Sequence, residues 1–596
     1  MKTTTQKQGM WDLLIPLMLI IVVLPLAVRL AIYSCGYSGY DWYVSDDVLA
    51  DFYCYYKSYL LDIIGILTGI ILLFRLALYR EKTKDLRIFI PLGIYCAFAL
   101  LSTIFSVNTD ASLKGNFESF ESVLVLIAYV IMALYAYQIM ECERDYNYIW
   151  KSILCICVVF AVIGGFQIFG HDLLNYEWMQ RLIMSGDQFK QYAGQIEDTF
   201  SGNNVYLTLY NPNYAGVTLC MLFAVIWIMA LSEHEKKKQI LYFVFSGIAL
   251  TLIWFTYSRA SLVAALLILV VGSLRYTKHF PKKYLAIGIS ALVALFALFI
   301  CVDAALDFKY LSRMTDKNTR EPLADMTSDG QGIHFCYDDV NYDLYLENDT
   351  LLCTSDTSET PLTAKEGNTL SLPMGEDTCA VFYGDEIYLQ IADNMLVFVK
   401  DDTGYLYETP SKELAPMVEI DSADFHGLEY LGSARGYIWS RTLPLLDDYF
   451  FIGSGPDTYA EVFPQEDYAG KIVYSDNPNM VIEKAHNDYL TKWIQTGGIS
   501  VLCILIFYIL FIRSGIRIFF QTKTTRSESL QMRLGYGCYI ACISYMFTSL
   551  FNDSTLQTSP LFWVFAGIAL SSIYTYRTCH RQLPTDAMAT KKAGLS

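Results

Sequence analysis

Apolar runs long enough to cross a lipid bilayer recur along most of this chain, and they constrain its fold more than any motif does. About 20 apolar residues span a hydrocarbon core. Twelve runs approach that length, at roughly 11–32, 59–79, 88–106, 121–140, 150–169, 214–232, 240–257, 260–274, 284–302, 498–513, 534–551 and 560–575. A chain of 596 residues with 54% hydrophobic and 17% charged residues fits either several soluble domains or one membrane protein. The distribution decides for an all-α polytopic membrane protein of about twelve transmembrane helices. The first run is long, holds Arg29 near its far end and lacks a small-residue cleavage site. It is therefore expected to stay as a helix rather than be removed as a signal peptide.

Lysine and arginine in short loops set orientation. Such residues cluster at 80–87, at Lys236-Lys237-Lys238, at 275–283 and at 513–533, each after an even-numbered run. The termini, with Lys2, Lys7, Arg577, Arg581, Lys591 and Lys592, fall on the same side. That side is expected to be cytoplasmic, which leaves 33–58, 107–120, 170–213 and 303–485 outside. The expected organisation is nine helices over 1–302, a large external segment at 303–485, three helices over 486–580 and a cytoplasmic tail at 581–596.

The net charge of −17 is concentrated in one place. Residues 302–485 hold 35 Asp and Glu against 11 Lys and Arg, so the remainder is net positive. An acidic outer surface argues against nucleic acid and against binding of anionic lipid headgroups. From about 326 to 430 the pattern alternates with period two, as in Gly332-Ile333-His334-Phe335-Cys336-Tyr337 and Met395-Leu396-Val397-Phe398-Val399. Turn residues separate these stretches, which predicts a β-rich external insert. Most of the fifteen cysteines lie in apolar runs. Cys35, Cys54, Cys336, Cys353 and Cys379 are external, where a disulfide is permitted; no pairing follows from the sequence.

Four polar clusters sit at or beyond the outer ends of the runs. They are Thr256-Tyr257-Ser258-Arg259-Ala260, Ser433-Ala434-Arg435-Gly436-Tyr437-Ile438-Trp439, Gly453-Ser454-Gly455 and Ala485-His486-Asn487-Asp488-Tyr489-Leu490. Taken singly, each has an ordinary structural reading. Arg259 fits a snorkelling interfacial residue, Arg435 a surface ion pair, His486 a structural hydrogen-bonding group, and the GxG a turn. Asn211-Pro212-Asn213-Tyr214 reads as a capping turn, Lys114 as a solvated charge, and Asp447-Asp448 as surface acids. Together they point elsewhere. Arg259 opposes the positive-inside bias, arginine's planar fork suits two phosphate oxygens, and a neutral histidine accepts a proton near working pH. Two arginines and a histidine on one side of a membrane can hold a lipid-linked diphosphate and activate a hydroxyl. Phosphate-loop, zinc-helix and nucleophile-elbow motifs are absent, so nucleotide-driven and metalloprotease chemistry have no support.

The ordered set resembles the O-antigen ligase and O-antigen polymerase superfamily of membrane glycosyltransferases. The matching stretches are Asn211-Pro212-Asn213-Tyr214-Ala215-Gly216, the Arg259 and Arg435 clusters, Gly453-Ser454-Gly455, and His486 to Leu490 followed by Gly497-Gly498-Ile499. The resemblance covers roughly 60–300 and 430–575; the insert departs from it. It implies an inverting transfer, independent of metal and cofactor, from an undecaprenyl-diphosphate-linked glycan to a glycan or other hydroxyl-bearing acceptor. The setting would be the outer face of a bacterial cytoplasmic membrane. By resemblance, Arg259 and Arg435 would hold the diphosphate and His486 would activate the acceptor. Asn211, Asn213, Lys114, Tyr437, Asn487 and Asp488 are expected to bind substrate. Ligase and polymerase are not separated by these motifs. A flippase for the lipid-linked sugar is the alternative from another class; it would favour midplane charges and related halves, and neither is evident. A sensor built on the insert would leave Arg259, Arg435 and His486 without a shared purpose.

Overall fold

The structure, a computed structural model, describes residues 11–43, 47–78, 83–116, 118–195, 204–277, 323–337, 340–372, 378–391, 394–409, 411–425, 428–475, 477–521 and 528–593. The expected ninth run at 284–302, the start of the external segment at 303–322, Lys2, Lys7, Arg80 and Lys82 lie outside them. Helices occupy the other eleven expected positions. Five are long and apolar enough to cross a membrane: Tyr55–Leu78, Arg87–Ile104, Glu143–Ile168, Pro212–Ser232 and Gly498–Phe520. Trp11–Leu26, Val123–Ile139 and Arg259–Gly272 are apolar but shorter. Lys236–Trp254, Leu530–Thr548 and Ser559–Ala593 complete the bundle.

Burial differs from helix to helix: Pro212–Ser232 is almost wholly enclosed, whereas Tyr55–Leu78 is not. Tyr55–Leu78 turns Ile63, Ile66, Leu67, Ile70 and Phe74 outward, 48% to 64% exposed, at spacings of three and four residues. A continuous apolar face of that kind suits a bilayer, and all backbone groups of a helix are satisfied within it. Leu530–Thr548 instead packs against Pro212–Ser232 and Ser559–Ala593. Its glycines, serines and tyrosines face protein, which lowers its hydropathy. Where Ser559–Ala593 crosses Val123–Ile139, a Cβ on Gly567 would lie 2.3 Å from the Ala133 carbonyl oxygen, so only glycine permits that approach.

Two boundaries differ from expectation. The first helix stops at Leu26 rather than continuing to 32, because Ala27 turns extended. Ala31–Ser34 then pairs antiparallel with Val48–Asp51, and the intervening N–H groups of Arg29 and Leu30 are satisfied by the carbonyls of Phe52 and Ile183. Near the other end, Asp488–Thr496 is a separate amphipathic helix, split from Gly498–Phe520 at Gly497, whose φ is +91°.

Among the described residues, the first strand of the β-rich insert begins at Leu323 and the last ends at Ala415. It is two consecutive antiparallel meanders, a five-stranded sheet over 323–365 and a six-stranded sheet over 370–415. Alternation places Phe335, Leu344, Leu351, Phe382, Leu389 and Phe398 in one shared core. That core is completed from outside the insert by Tyr468, Ala469, Ile472 and Val473 of the helix Tyr468–Ser475. The Tyr407 and Tyr468 ring centroids are 4.9 Å apart. No disulfide joins cysteines among the described residues, Cys35, Cys54, Cys336, Cys353 and Cys379 included.

Candidate functional site

Basic residues and polar clusters end up at opposite ends of the helix bundle. Lys236 starts one helix and Arg275 follows another, whereas Asn211, Arg259 and His486 begin helices at the far end or lie directly before them. There a cavity of about 490 Å³ opens, lined by residues from five separate chain segments.

Asn211 and Asn213 enter it from the start of Pro212–Ser232. The Asn211 side chain accepts from the Asn213 N–H at 2.8 Å, and Pro212 occupies the first turn, where no donor is required. Gly216, one turn on, has no room for a side chain: a Cβ would lie 2.3 Å from Ser261 Oγ. This close fit brings Arg259–Gly272 and the turn before it against Pro212–Ser232. In that turn Thr256 Oγ1 donates to the Ile253 carbonyl at 2.6 Å, and Tyr257 takes the left-handed conformation, with φ +54°. Arg259 follows as the first helical residue, with its side chain exposed to the cavity.

Arg435 arrives from a different direction. Gly432, Ser433 and Ala434 are all left-handed, with φ of +70°, +64° and +61°, before regular helix resumes to Thr442. The Arg435 guanidinium is half-buried, donates from one nitrogen to the Gly432 carbonyl at 3.3 Å, and has a buried Nε with no hydrogen-bond partner among the described residues. Burial pulls its pKa below the usual arginine value, and the nearby Arg259 charge adds to that, against Asp553 and Tyr214. Two like charges share one cavity, an arrangement that an anion would relieve.

His486 is also left-handed, with φ +49°. Its Nδ1 lies 2.9 Å from Oδ2 of Asp553, which comes from the loop before the last helix. The His486 side chain is 41% exposed and the Asp553 side chain 1%. Asp553 Oδ1 accepts from Thr491 Oγ1 at 3.1 Å. Burial alone would raise the Asp553 carboxyl, but the His486 contact, Lys484 and Thr491 hold it below its ordinary value. An ionised carboxylate only accepts, so Nδ1 carries the hydrogen and Nε2 is left as the basic nitrogen. Lys484 supports this from behind: burial opposes its charge, but Tyr214, Glu483, Asp553 and Glu121 hold it well above its usual value. Left-handed non-glycine residues cost roughly 1–3 kcal/mol each and cluster at functional sites. Tyr257, Ser433 and His486 all line this one cavity.

Five of the residues singled out in the sequence, Arg259, Arg435, His486, Asn211 and Asn213, therefore meet. The other four lie off the cavity lining. Lys114 is exposed and pairs with Asp110 at 2.6 Å. Tyr437 is buried, stacked on Tyr474 with ring centroids 4.9 Å apart. Asn487 caps Asp488–Thr496 by accepting from the Tyr489 and Leu490 N–H groups. Asp488 is buried and ion-paired with Lys492. These last three hold the walls rather than face the space. Gly453-Ser454-Gly455 does likewise: a Cβ on Gly453 would lie 2.2 Å from the Gln495 carbonyl carbon, and Ser454 N–H donates to the Ile494 carbonyl at 2.8 Å. Asn552 on the cavity wall and Asp553 behind His486 were not anticipated.

No family model matches the chain, and no curated protein matches it.

Proposed function

We propose that this protein is a polytopic enzyme of the bacterial cytoplasmic membrane, crossing it about twelve times, that transfers or polymerises an undecaprenyl-diphosphate-linked glycan at the outer face. The reading is that of an inverting, metal-independent glycosyltransferase of the O-antigen ligase and polymerase type, working in cell-surface polysaccharide assembly. What supports it most is the convergence of Arg259, Arg435 and the His486–Asp553 pair on one cavity from distant parts of the sequence.

In this mechanism the donor diphosphate lies between Arg259 and Arg435, and the buried Arg435 Nε gains its hydrogen-bond partner there. The acceptor hydroxyl approaches His486 Nε2 and gives up its proton to it. The hydroxyl oxygen bonds to the anomeric carbon from the face opposite the leaving group, so configuration inverts. The bond from that carbon to the phosphate oxygen breaks, and its electron pair stays on the diphosphate. Fixed donors aimed at this developing charge supply a large part of such catalysis. Asp553 holds the hydrogen of the neutral ring on Nδ1 beforehand and stabilises the imidazolium afterwards, while Asn211, Asn213 and Asn552 offer amides to sugar hydroxyls. The cavity lies at helix ends rather than at the bundle midplane, which suits surface transfer better than the flippase alternative.

Deleting the gene and analysing surface polysaccharide tests the reading. Single repeat units without long chains identify a polymerase; complete but unattached chains identify a ligase. Unchanged polysaccharide of every class contradicts both.

A further inference from the structure

A second cleft, of about 390 Å³, lies at the same end of the bundle. Its wall residues sit next to three helix ends. Leu30 follows Trp11–Leu26, Tyr53 precedes Tyr55–Leu78, and Leu174 follows Glu143–Ile168. In the orientation proposed above, that is the level of the outer bilayer surface. One wall is the face of the two-stranded hairpin that carries Ile32, Val48 and Ala50. Ile32 is 42% and Val48 61% exposed. Among the described residues, the only charged side chain on the wall is Asp172, and its carboxylate accepts from the Leu174 N–H at 2.9 Å. The volume is within the range of small-molecule sites, roughly 300–1,000 Å³.

Two further observations identify an occupant. The surface beside the cleft exposes Phe169, Trp178 and Leu182, at 79%, 58% and 74%. Tryptophan is enriched at membrane interfaces, and Leu182 adjoins Ile183 of the cleft wall in the same short helix. An aromatic series also divides it from the arginine cavity: Tyr53, on the cleft wall, meets Tyr210 with ring centroids 5.8 Å apart, and Tyr210 meets Tyr214, on the cavity wall, at 6.5 Å. The two spaces share no wall residue.

We propose that this cleft binds one acyl chain of an outer-leaflet lipid, held between the hairpin face at Ile32, Val48 and Ala50 and the segment at Leu174. The site is distinct from the transfer cavity, and the inference needs only the membrane orientation, not the glycosyltransferase reading.

Full-length protein in nanodiscs tests it, using phosphatidylethanolamine with a diazirine on one acyl chain and, separately, a diazirine-bearing undecaprenyl phosphate. After photolysis, labelled peptides are mapped by mass spectrometry. The acyl probe is expected to label 30–34, 48–53 and 172–184 more strongly than the lipid-facing stretch 63–74. Ala50→Trp, or Ile32→Trp on the facing strand, should lower that labelling about ten-fold, because excluding even two methylenes from an apolar site costs that much in binding. Labelling of 63–74 should stay constant and report intact folding. Equal labelling of all these peptides, insensitivity to both substitutions, or preference of the cleft for the polyprenyl probe would each overturn the proposal.

Discussion

His486 Nδ1 donates to Asp553 Oδ2 across 2.9 Å, and the two residues are 67 positions apart in the chain. The contact joins the start of one helix to the loop before another, and it fixes which imidazole nitrogen faces the cavity. Asp553→Asn preserves shape but permits the wrong tautomer. Transfer should fall by roughly 10²–10⁴-fold, the usual worth of general-base catalysis, with donor affinity nearly unchanged. Single-turnover rates alongside equilibrium donor binding separate the two effects; equal losses in both would make Asp553 a structural residue only.

In the proposed mechanism the arginines hold the other substrate, the donor. Arg435→Lys keeps a charge but loses the planar fork. A lost charged hydrogen bond is worth about 1.5–3 kcal/mol, so donor affinity should weaken by about ten- to a hundred-fold, measured by titration with lipid diphosphate. Unaltered affinity would remove Arg435 from the diphosphate site.

Glu483 offers a pH test. Burial, with Glu118 nearby, pushes its carboxyl up from 4.5 to about 8, and its Oε2 is buried without a hydrogen-bond partner among the described residues. Between those values the folded state binds the proton that the unfolded chain has lost. Its stabilising contribution is therefore complete below 4.5 and is lost as pH rises through about 8. Glu483→Gln should flatten the fall in thermal midpoint over that window; parallel wild-type and variant curves would show that this carboxyl is not the cause.

The insert's core extends onto Tyr468–Ser475. Tyr468→Ala removes a buried ring facing Tyr407, a change that costs about 3–5 kcal/mol for comparable aromatic deletions. Hydrogen exchange should speed up in the strands of 323–415 while Pro212–Ser232 stays protected. No change in those strands would separate the insert from that helix.

Orientation has its own check. Cysteine labelling of intact cells should reach a Cys introduced at Thr369 and not one at Lys237; labelling of Lys237 alone would reverse the topology.

The membrane helices were legible because lipid-facing positions such as Ile63, Ile66 and Phe74 tolerate little but apolar residues. The insert was legible because one buried face per sheet imposes period two. Arg259, Arg435 and His486 stood out because each is a cationic or titratable group in a polar cluster at or beyond the end of an apolar run. Tyr437 misled for a geometric reason: two residues along a helix from Arg435 is about 200° of rotation, so the two side chains face opposite ways. Asn487 and Asp488 adjoin His486 in sequence, but beginning a helix uses the Asn487 side chain for capping and turns Asp488 towards Lys492. Asp553 left no signal, since one carboxylate in a polar loop is ordinary until the fold sets it beside a histidine.

The central claim is that the Arg259, Arg435 and His486 cavity transfers glycan from a polyprenyl diphosphate. Purified protein given an undecaprenyl-diphosphate-linked glycan and an acceptor, with chelator present, tests it directly. The account predicts product of inverted anomeric configuration, its loss in Arg259→Ala and Arg435→Ala, and its near loss in His486→Ala with donor still bound. Full activity in any of the three variants, or activity that chelator abolishes and a divalent ion restores, would contradict it.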